Sequence, residues 1–353
     1  MNFKWQTGAL VLLLPAVSTI ARAQLSPATP SATQDRRLDS ADDSDRLWSI
    51  ERPNIEKLEQ FTSLQGGAIL FTIDRMFGYA KAGTARRLDL PHSNSHCPSW
   101  SAALSHDGRS LAFLSSQQPE HCTISIYDLA TGAIRNLLDL PYNPWALSWS
   151  WDDSRIAFSD PSYFSPAIRA VSPRDGSVRT IVDSSRLATV RTQTGSLLCF
   201  DALASMQWSH AGDELLAGFS REIPTAQPNA YTSYRVEYRI KLASDDQVSE
   251  LGDGDSASVS PVADRVAWYR DNKIVIANFD GTNGRVVTGA PRWMGLLLDD
   301  FKGPLVWSPN GKQLFFGAFE SETCRDNVYL LQVDTGSSNR FLHRTCITIE
   351  DWR

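Results

Sequence analysis

The run Trp307-Ser308-Pro309-Asn310-Gly311-Lys312-Gln313-Leu314-Phe315-Phe316 holds the end of one strand, a reversal and the start of the next strand. An apolar anchor and a Ser close the first strand. Pro-Asn-Gly then turns the chain, because Asn and Gly reach positive φ at little cost. The apolar triplet after the turn has the aromatic and branched character of a buried strand. The same phrase returns along the chain. It reads Thr62-Ser63-Leu64-Gln65-Gly66, Leu104-Ser105-His106-Asp107-Gly108 and Trp149-Ser150-Trp151-Asp152-Asp153. It continues as Trp208-Ser209-His210-Ala211-Gly212 and Val259-Ser260-Pro261-Val262-Ala263, the last without its Gly.

The six anchors lie 42, 45, 59, 51 and 48 residues apart. That is the period of four-stranded propeller blades, or just above it. Second turns follow in the same units, at Ala130-Thr131-Gly132, Arg174-Asp175-Gly176, Asp280-Gly281-Thr282 and Asp334-Thr335-Gly336. Two hairpins per unit make one antiparallel blade, and a ring of blades removes most exposed sheet edges. The fold class read here is all-β, a six-bladed β-propeller.

The phrase resembles the repeat of the TolB-like six-bladed propellers, which carry aromatic-Ser-Pro-Asp-Gly before a strand of the Ile-Ala-Phe type. The copy at Trp307 matches it best, and the resemblance covers roughly residues 55 to 345. It extends to the propeller repeats and not to the α/β domain that TolB carries before them. It implies a fold and no particular activity.

At the other end, Lys4 precedes the apolar run Ala9–Ile20, broken by Pro15, and Ala21-Arg22-Ala23 offers small residues for cleavage. This reads as a secretory signal peptide over 1–23, cleaved near Ala23, with a periplasmic or secreted product. Ser, Ala, Pro and Asp dominate 24–45, a flexible leader, and 46–353 form the propeller. No later segment is long and apolar enough to span a bilayer. Cleavage removes Lys4 and Arg22, so the net charge goes from −6 to −8. An acidic surface repels phosphate backbones, which excludes nucleic acid as a partner.

How the ring closes is open at this level. Residues 54–63 fit either the innermost strand of the first blade or a helix, since Ile55, Leu58 and Phe61 recur at helical spacing. In the second case Ile347–Trp352 supplies the missing strand and clasps the two ends. We expect the clasp.

Blade topology puts both hairpin turns on one face and the longer connections on the other. Insertions at 91–97, 117–122, 160–166, 184–204, 221–231, 291–303 and 320–327 fall on that looped face. Recognition usually sits on such loops, although any one of them also reads as drift in length. All five cysteines map there, and in an exported protein Cys97–Cys122 and Cys324–Cys346 read as disulfides with Cys199 left over. Tyr163, Phe164, Tyr231 and Trp293 lie in the insertions, and Trp100 and Trp145 each stand four residues before an anchor. These six are the candidate contact residues, with packing between blades as the other reading of the two Trp. His92, His96 and His121 are weak candidates for a metal; ordinary solvated or disulfide-adjacent histidines are the simpler reading, and we expect neither metal nor cofactor.

The chain has no G-x-S-x-G, Walker or H-E-x-x-H motif, and Asp152-Asp153 and Asp299-Asp300 read as solvated turn carboxylates. The expected function is a non-catalytic scaffold that binds a protein or peptide through the looped face. The alternative is a carbohydrate-binding or carbohydrate-cleaving propeller with its site at the channel mouth.

Overall fold

Five of the six phrases fold as they read. In the second blade Ser105 N–H bonds Ser110 O at 2.9 Å and Gly108 N–H bonds Ser105 O at 3.0 Å, closing the reversal at a Gly φ of 64°. The Ser hydroxyl is held by the turn acid, Ser105 Oγ to Asp107 Oδ1 at 2.6 Å and Ser150 Oγ to Asp152 Oδ1 at 2.6 Å. Where the third copy lacks Gly, Asp153 itself takes φ 53°, a conformation that a short polar side chain tolerates.

A computed structural model describes residues 41–73, 76–91, 102–118, 121–142, 144, 146–160, 167–183, 197–199, 205–224, 231–242, 248–270, 273–289, 303–318 and 326–353. They form six antiparallel sheets. From the innermost strand outward, the first blade is Ile347–Trp352, Ala68–Ile73, Met76–Lys81 and Thr84–Arg87. The second is Ala102–Leu104, Ser110–Gln118, His121–Asp128 and Ile134–Leu140, and the third Leu147–Trp149, Ile156–Asp160, Ala167–Val171 and Val178–Val182. In the fourth, Ser205–Trp208 leads to Glu214–Pro224, Tyr231–Lys241 and Val248–Asp253, and Leu197–Cys199 adds a fifth strand against Ser220–Glu222. The fifth is Asp255–Val259, Arg265–Arg270, Lys273–Asn278 and Arg285–Gly289; the sixth is Val306–Trp307, Gln313–Ala318, Asp326–Gln332 and Ser338–Thr345.

The first phrase does not make a turn. Thr62–Gln65 is the end of an α-helix, Arg52–Gln65, and Gly66 caps it at φ 73° with its N–H on Thr62 O. The anchor of the first blade is Trp352 instead. It pairs with Ile69 as Trp307 pairs with Leu314, so the C-terminal strand clasps the ring. Arg353 completes the clasp by donating N–H to Ala68 O at 2.8 Å.

That helix packs between the first and sixth blades. Ile55 and Leu58 are fully buried in a cluster with Phe71, Phe315 and Trp352, and the Phe61 ring lies 5.0–5.4 Å from the rings of Phe341, Trp352 and Phe315. At its start, buried Glu51 accepts hydrogen bonds from Thr345 Oγ1 (2.6 Å), Cys346 N–H (2.9 Å) and Asn54 Nδ2 (2.9 Å). A second helix, Ala41–Ile50, takes up residues 41–45, which the composition assigned to the flexible leader. Its Trp48 stacks on Phe71 at 5.9 Å, and that apolar contact outweighs the polar character of the preceding residues.

Elsewhere the blades are joined by their anchors. Trp149 Nε1 donates to Ala103 O at 2.9 Å, Trp208 Nε1 to Ser148 O at 3.1 Å and Trp307 Nε1 to Ser258 O at 2.9 Å. Each indole reaches the innermost strand of the preceding blade, one residue before that blade's own anchor. No helix among the described residues is long and apolar enough to cross a membrane.

Candidate functional site

The innermost strands of all six blades wall a central cavity of about 120 Å³. One residue before each anchor stand Ala103, Ser148, Gln207, Ser258, Val306 and Asp351, and all of them line it. Pairing thus places one residue per blade at the same height, and five of those six are uncharged.

Three residues further along the chain lies a set of rings. The third residue of the phrase is Pro in the fifth and sixth copies but His106, Trp151 and His210 in the second, third and fourth. Trp151 is held between the two imidazoles, 4.0 Å from the His106 ring and 4.5 Å from that of His210, nearly parallel to the latter. His210 Nε2 meets Pro261 O at 3.0 Å, Trp151 Nε1 donates to Trp208 O at 3.2 Å, and the Arg353 guanidinium stands 5.8 Å from the Trp151 ring. His106, Trp151 and Arg353 all border the cavity. Residues of the first to fifth blades therefore meet at the turn-face end of the channel.

His106 is fixed from behind. Asp153 accepts the N–H groups of His106 (2.7 Å) and Asp107 (2.9 Å) and approaches His106 Nδ1 at 3.3 Å. Burial raises the Asp153 carboxyl, but these hydrogen bonds and the His106 charge bring it below the ordinary range. Asp153 is thus a link between two blades rather than the solvated turn carboxylate its place in the sequence suggests.

The cavity acids come from the clasp. A register shift opposite Leu70/Phe71 bulges the last strand at Glu350, which sends both Glu350 and Asp351 to the channel wall. Bulges re-aim side chains in this way. Asp351 pairs with Arg353 at 3.2 Å. Glu350 has no cationic partner among the described residues and accepts one hydrogen bond, from Thr72 Oγ1 at 2.8 Å. Burial pushes its carboxyl up to about 7; the Thr72 bond opposes the rise and the Asp351 charge adds to it.

Few of the residues singled out from the sequence are among those described. Trp100, Trp145, Tyr163, Phe164, Trp293, His92, His96, Cys97 and Cys324 lie outside the described residues. Tyr231 begins a strand opposite Pro224, and residues 221–224 of that insertion continue the preceding strand, paired with 231–234. His121 is exposed at the start of its strand, buried Cys122 follows it, and Cys199 belongs to the added strand of the fourth blade. Among the described residues no group of three or more His, Cys, Asp or Glu is arranged to hold a metal ion.

Six blades, ring closure by the last strand and a cavity on the axis allow comparison with solved structures. TolB from Acinetobacter baumannii superposes with a TM-score of 0.55 at 15% identity, over 82% of this chain and 67% of that one. The fold is that of the TolB propellers. A chain of the nidogen/laminin complex superposes equally well, TM-score 0.55 at 9% identity, over 81% of this chain and 97% of that one. Oligogalacturonate lyase in complex with manganese is more distant, TM-score 0.48 at 14% identity over 78% and 73%, and carries no argument for chemistry. No protein-family model and no curated protein matches the sequence. At these identities the likeness is one of fold.

Proposed function

We propose that this chain is an exported propeller that binds a protein or peptide and takes a side chain or chain end of its partner into the axial channel. The observation that carries the reading is the size of that channel. At about 120 Å³ it is well below the roughly 300–1,000 Å³ of pockets that enclose a drug-sized ligand, yet roomy enough for several waters. It suits the tip of one residue, and it offers an oligosaccharide little to hold.

In this reading the looped face supplies the outer contact, through Trp100, Trp145, Tyr163, Phe164, Tyr231 and Trp293, while the channel receives the tip. Export follows from the leader over 1–23 and brings with it the pairs Cys97–Cys122 and Cys324–Cys346. Free thiols at those four positions in protein recovered from outside the cytoplasm would remove that support.

The test is site-specific cross-linking. A photoreactive residue in place of Gln207, on the channel wall, should capture a partner from the exported fraction. The same group in place of Asp175, on an outer hairpin turn, should capture none. Capture from Asp175 alone would place binding on the blade rim and overturn the reading.

A further inference from the structure

We infer that the axial channel recognises a protonated amine, with Glu350 as its counter-ion; this rests on the peptide-binding reading and names what the partner presents. The lining is asymmetric. Five blades contribute Ala, Leu, Met, Val, Ser, Gln, Trp and one His, His106, to the wall, and among the described residues only the clasp strand contributes acid. Of its two carboxylates, Asp351 is already matched by Arg353. Glu350 is not: its one partner among the described residues is a neutral hydroxyl. A carboxylate taken out of water without a cation is unfavourable by several kcal/mol, and buried charges are ordinarily paired. Here the bulge aims the unpaired acid, itself only partly exposed, into the channel.

The space and the rim fit the same ligand. The cavity takes an ammonium with a few methylenes, as in a lysine tip or a chain N-terminus. Apolar wall residues Leu147, Met206, Leu305 and Val306 suit the methylenes. At the turn-face end a guanidinium already stands, where Arg353 lies over Trp151, so that aromatic face is not open to the ligand. The acid below remains the attractive centre for positive charge. Glu350 titrates near neutrality because of its burial, so an arriving cation favours its ionised form and releases a proton.

Binding to the mature full-length protein should be measured with three probes of similar size: n-butylamine for a lysine tip, alanine amide for a chain N-terminus, and n-butanol as the neutral control. At pH 8 at least one amine should bind ten-fold or more tightly than the alcohol, and the tighter amine identifies the source. Glu350→Gln should erase that preference. In the unaltered protein, n-butylamine binding should weaken between pH 8 and 6, where that amine stays protonated; alanine amide, whose α-amine titrates at about 8, is compared at fixed pH only. The other ionisable groups on the wall are Asp351, Arg353 and His106, and His106→Gln should leave the pH dependence in place. Equal binding of amine and alcohol overturns the inference, as does an amine preference that survives Glu350→Gln. If that variant does not fold, a pH-independent n-butylamine affinity in the unaltered protein overturns it equally. A partner cross-linked from Gln207 and still captured by Glu350→Gln would leave peptide binding standing and remove the amine. Amine binding with no partner captured would do the reverse.

Discussion

The junction between the third and fourth blades and the junction between the sixth and first are built from different materials. At the former, the Trp208 indole bonds Ser148 O, Arg155 lies 4.4 Å over the Trp208 ring, and Trp151 reaches back to Trp208 O. Every group involved belongs to a phrase or its flanks. At the latter, the Trp352 indole N–H is buried with no hydrogen-bond partner among the described residues. A helix fills the space, Phe61 packs against three rings, and Glu51 ties the chain where it passes from the sixth blade into the first. Repetition specifies the ordinary junctions locally. The closing junction is specified by contacts between residues nearly 300 positions apart.

The sharpest way to break this contrast is at Glu51. Glu51→Ala leaves Thr345 and the Cys346 N–H without their buried acceptor, and we expect a loss of about 3 kcal/mol in urea unfolding, given that hydrogen bonds to charged groups contribute about 1.5–3 kcal/mol each. A loss under about 1 kcal/mol would mean that the helix and its tie are incidental to closure.

Glu350 tests the other side of the clasp, where the closing strand carries a destabilising group. Its folded carboxyl, near 7, lies above the ordinary 4.5, so the folded chain holds the proton more tightly and stability falls as pH rises from about 4.5 to about 7. The shift corresponds to about 3 kcal/mol at most. Glu350→Gln should therefore raise the melting temperature at pH 8 and leave it unchanged at pH 4. The opposite pH dependence would refute the assigned strain.

The smallest effects compare the anchors directly. Trp208→Phe removes a hydrogen bond of about 1 kcal/mol along with part of a ring, whereas Trp352→Phe removes an N–H that has no partner. We expect the first to lower stability by about 1–2 kcal/mol and the second by clearly less, read from paired thermal melts. Equal losses would show that the two junctions use their indoles alike.

The misreading at Thr62 has a physical cause. A helix C-cap and a tight hairpin turn both call for Gly at positive φ, so Thr62-Ser63-Leu64-Gln65-Gly66 satisfies either. The correct anchor was visible in the spacing, since Trp352 follows Trp307 by 45 residues, one blade period. Fold class, blade count and the clasp were legible because each blade repeats the same local requirements. The channel site was not, because it depends on departures from the repeat. Histidine and tryptophan replace proline at the third phrase position in three consecutive blades, and that substitution pattern was the available signal for His106, Trp151 and His210. Glu350 left no such trace: its exposure to the channel follows from a bulge that only the pairing register reveals.

The clasp also sets an order in time. Five blades can form from neighbouring hairpins, whose strands are a few tens of residues apart at most. The first cannot be completed until Ile347–Trp352 finds Ile69–Ile73, some 280 residues earlier in the chain. Long-range closure of this kind is slow, since the entropy of bringing distant segments together must be met before their contacts reward it. Until then the Ala68–Ile73 strand, apolar but for Thr72, presents a bare edge of the kind that recruits strands from other molecules. During folding, the period before Ile347–Arg353 dock is when this chain is most exposed to aggregation.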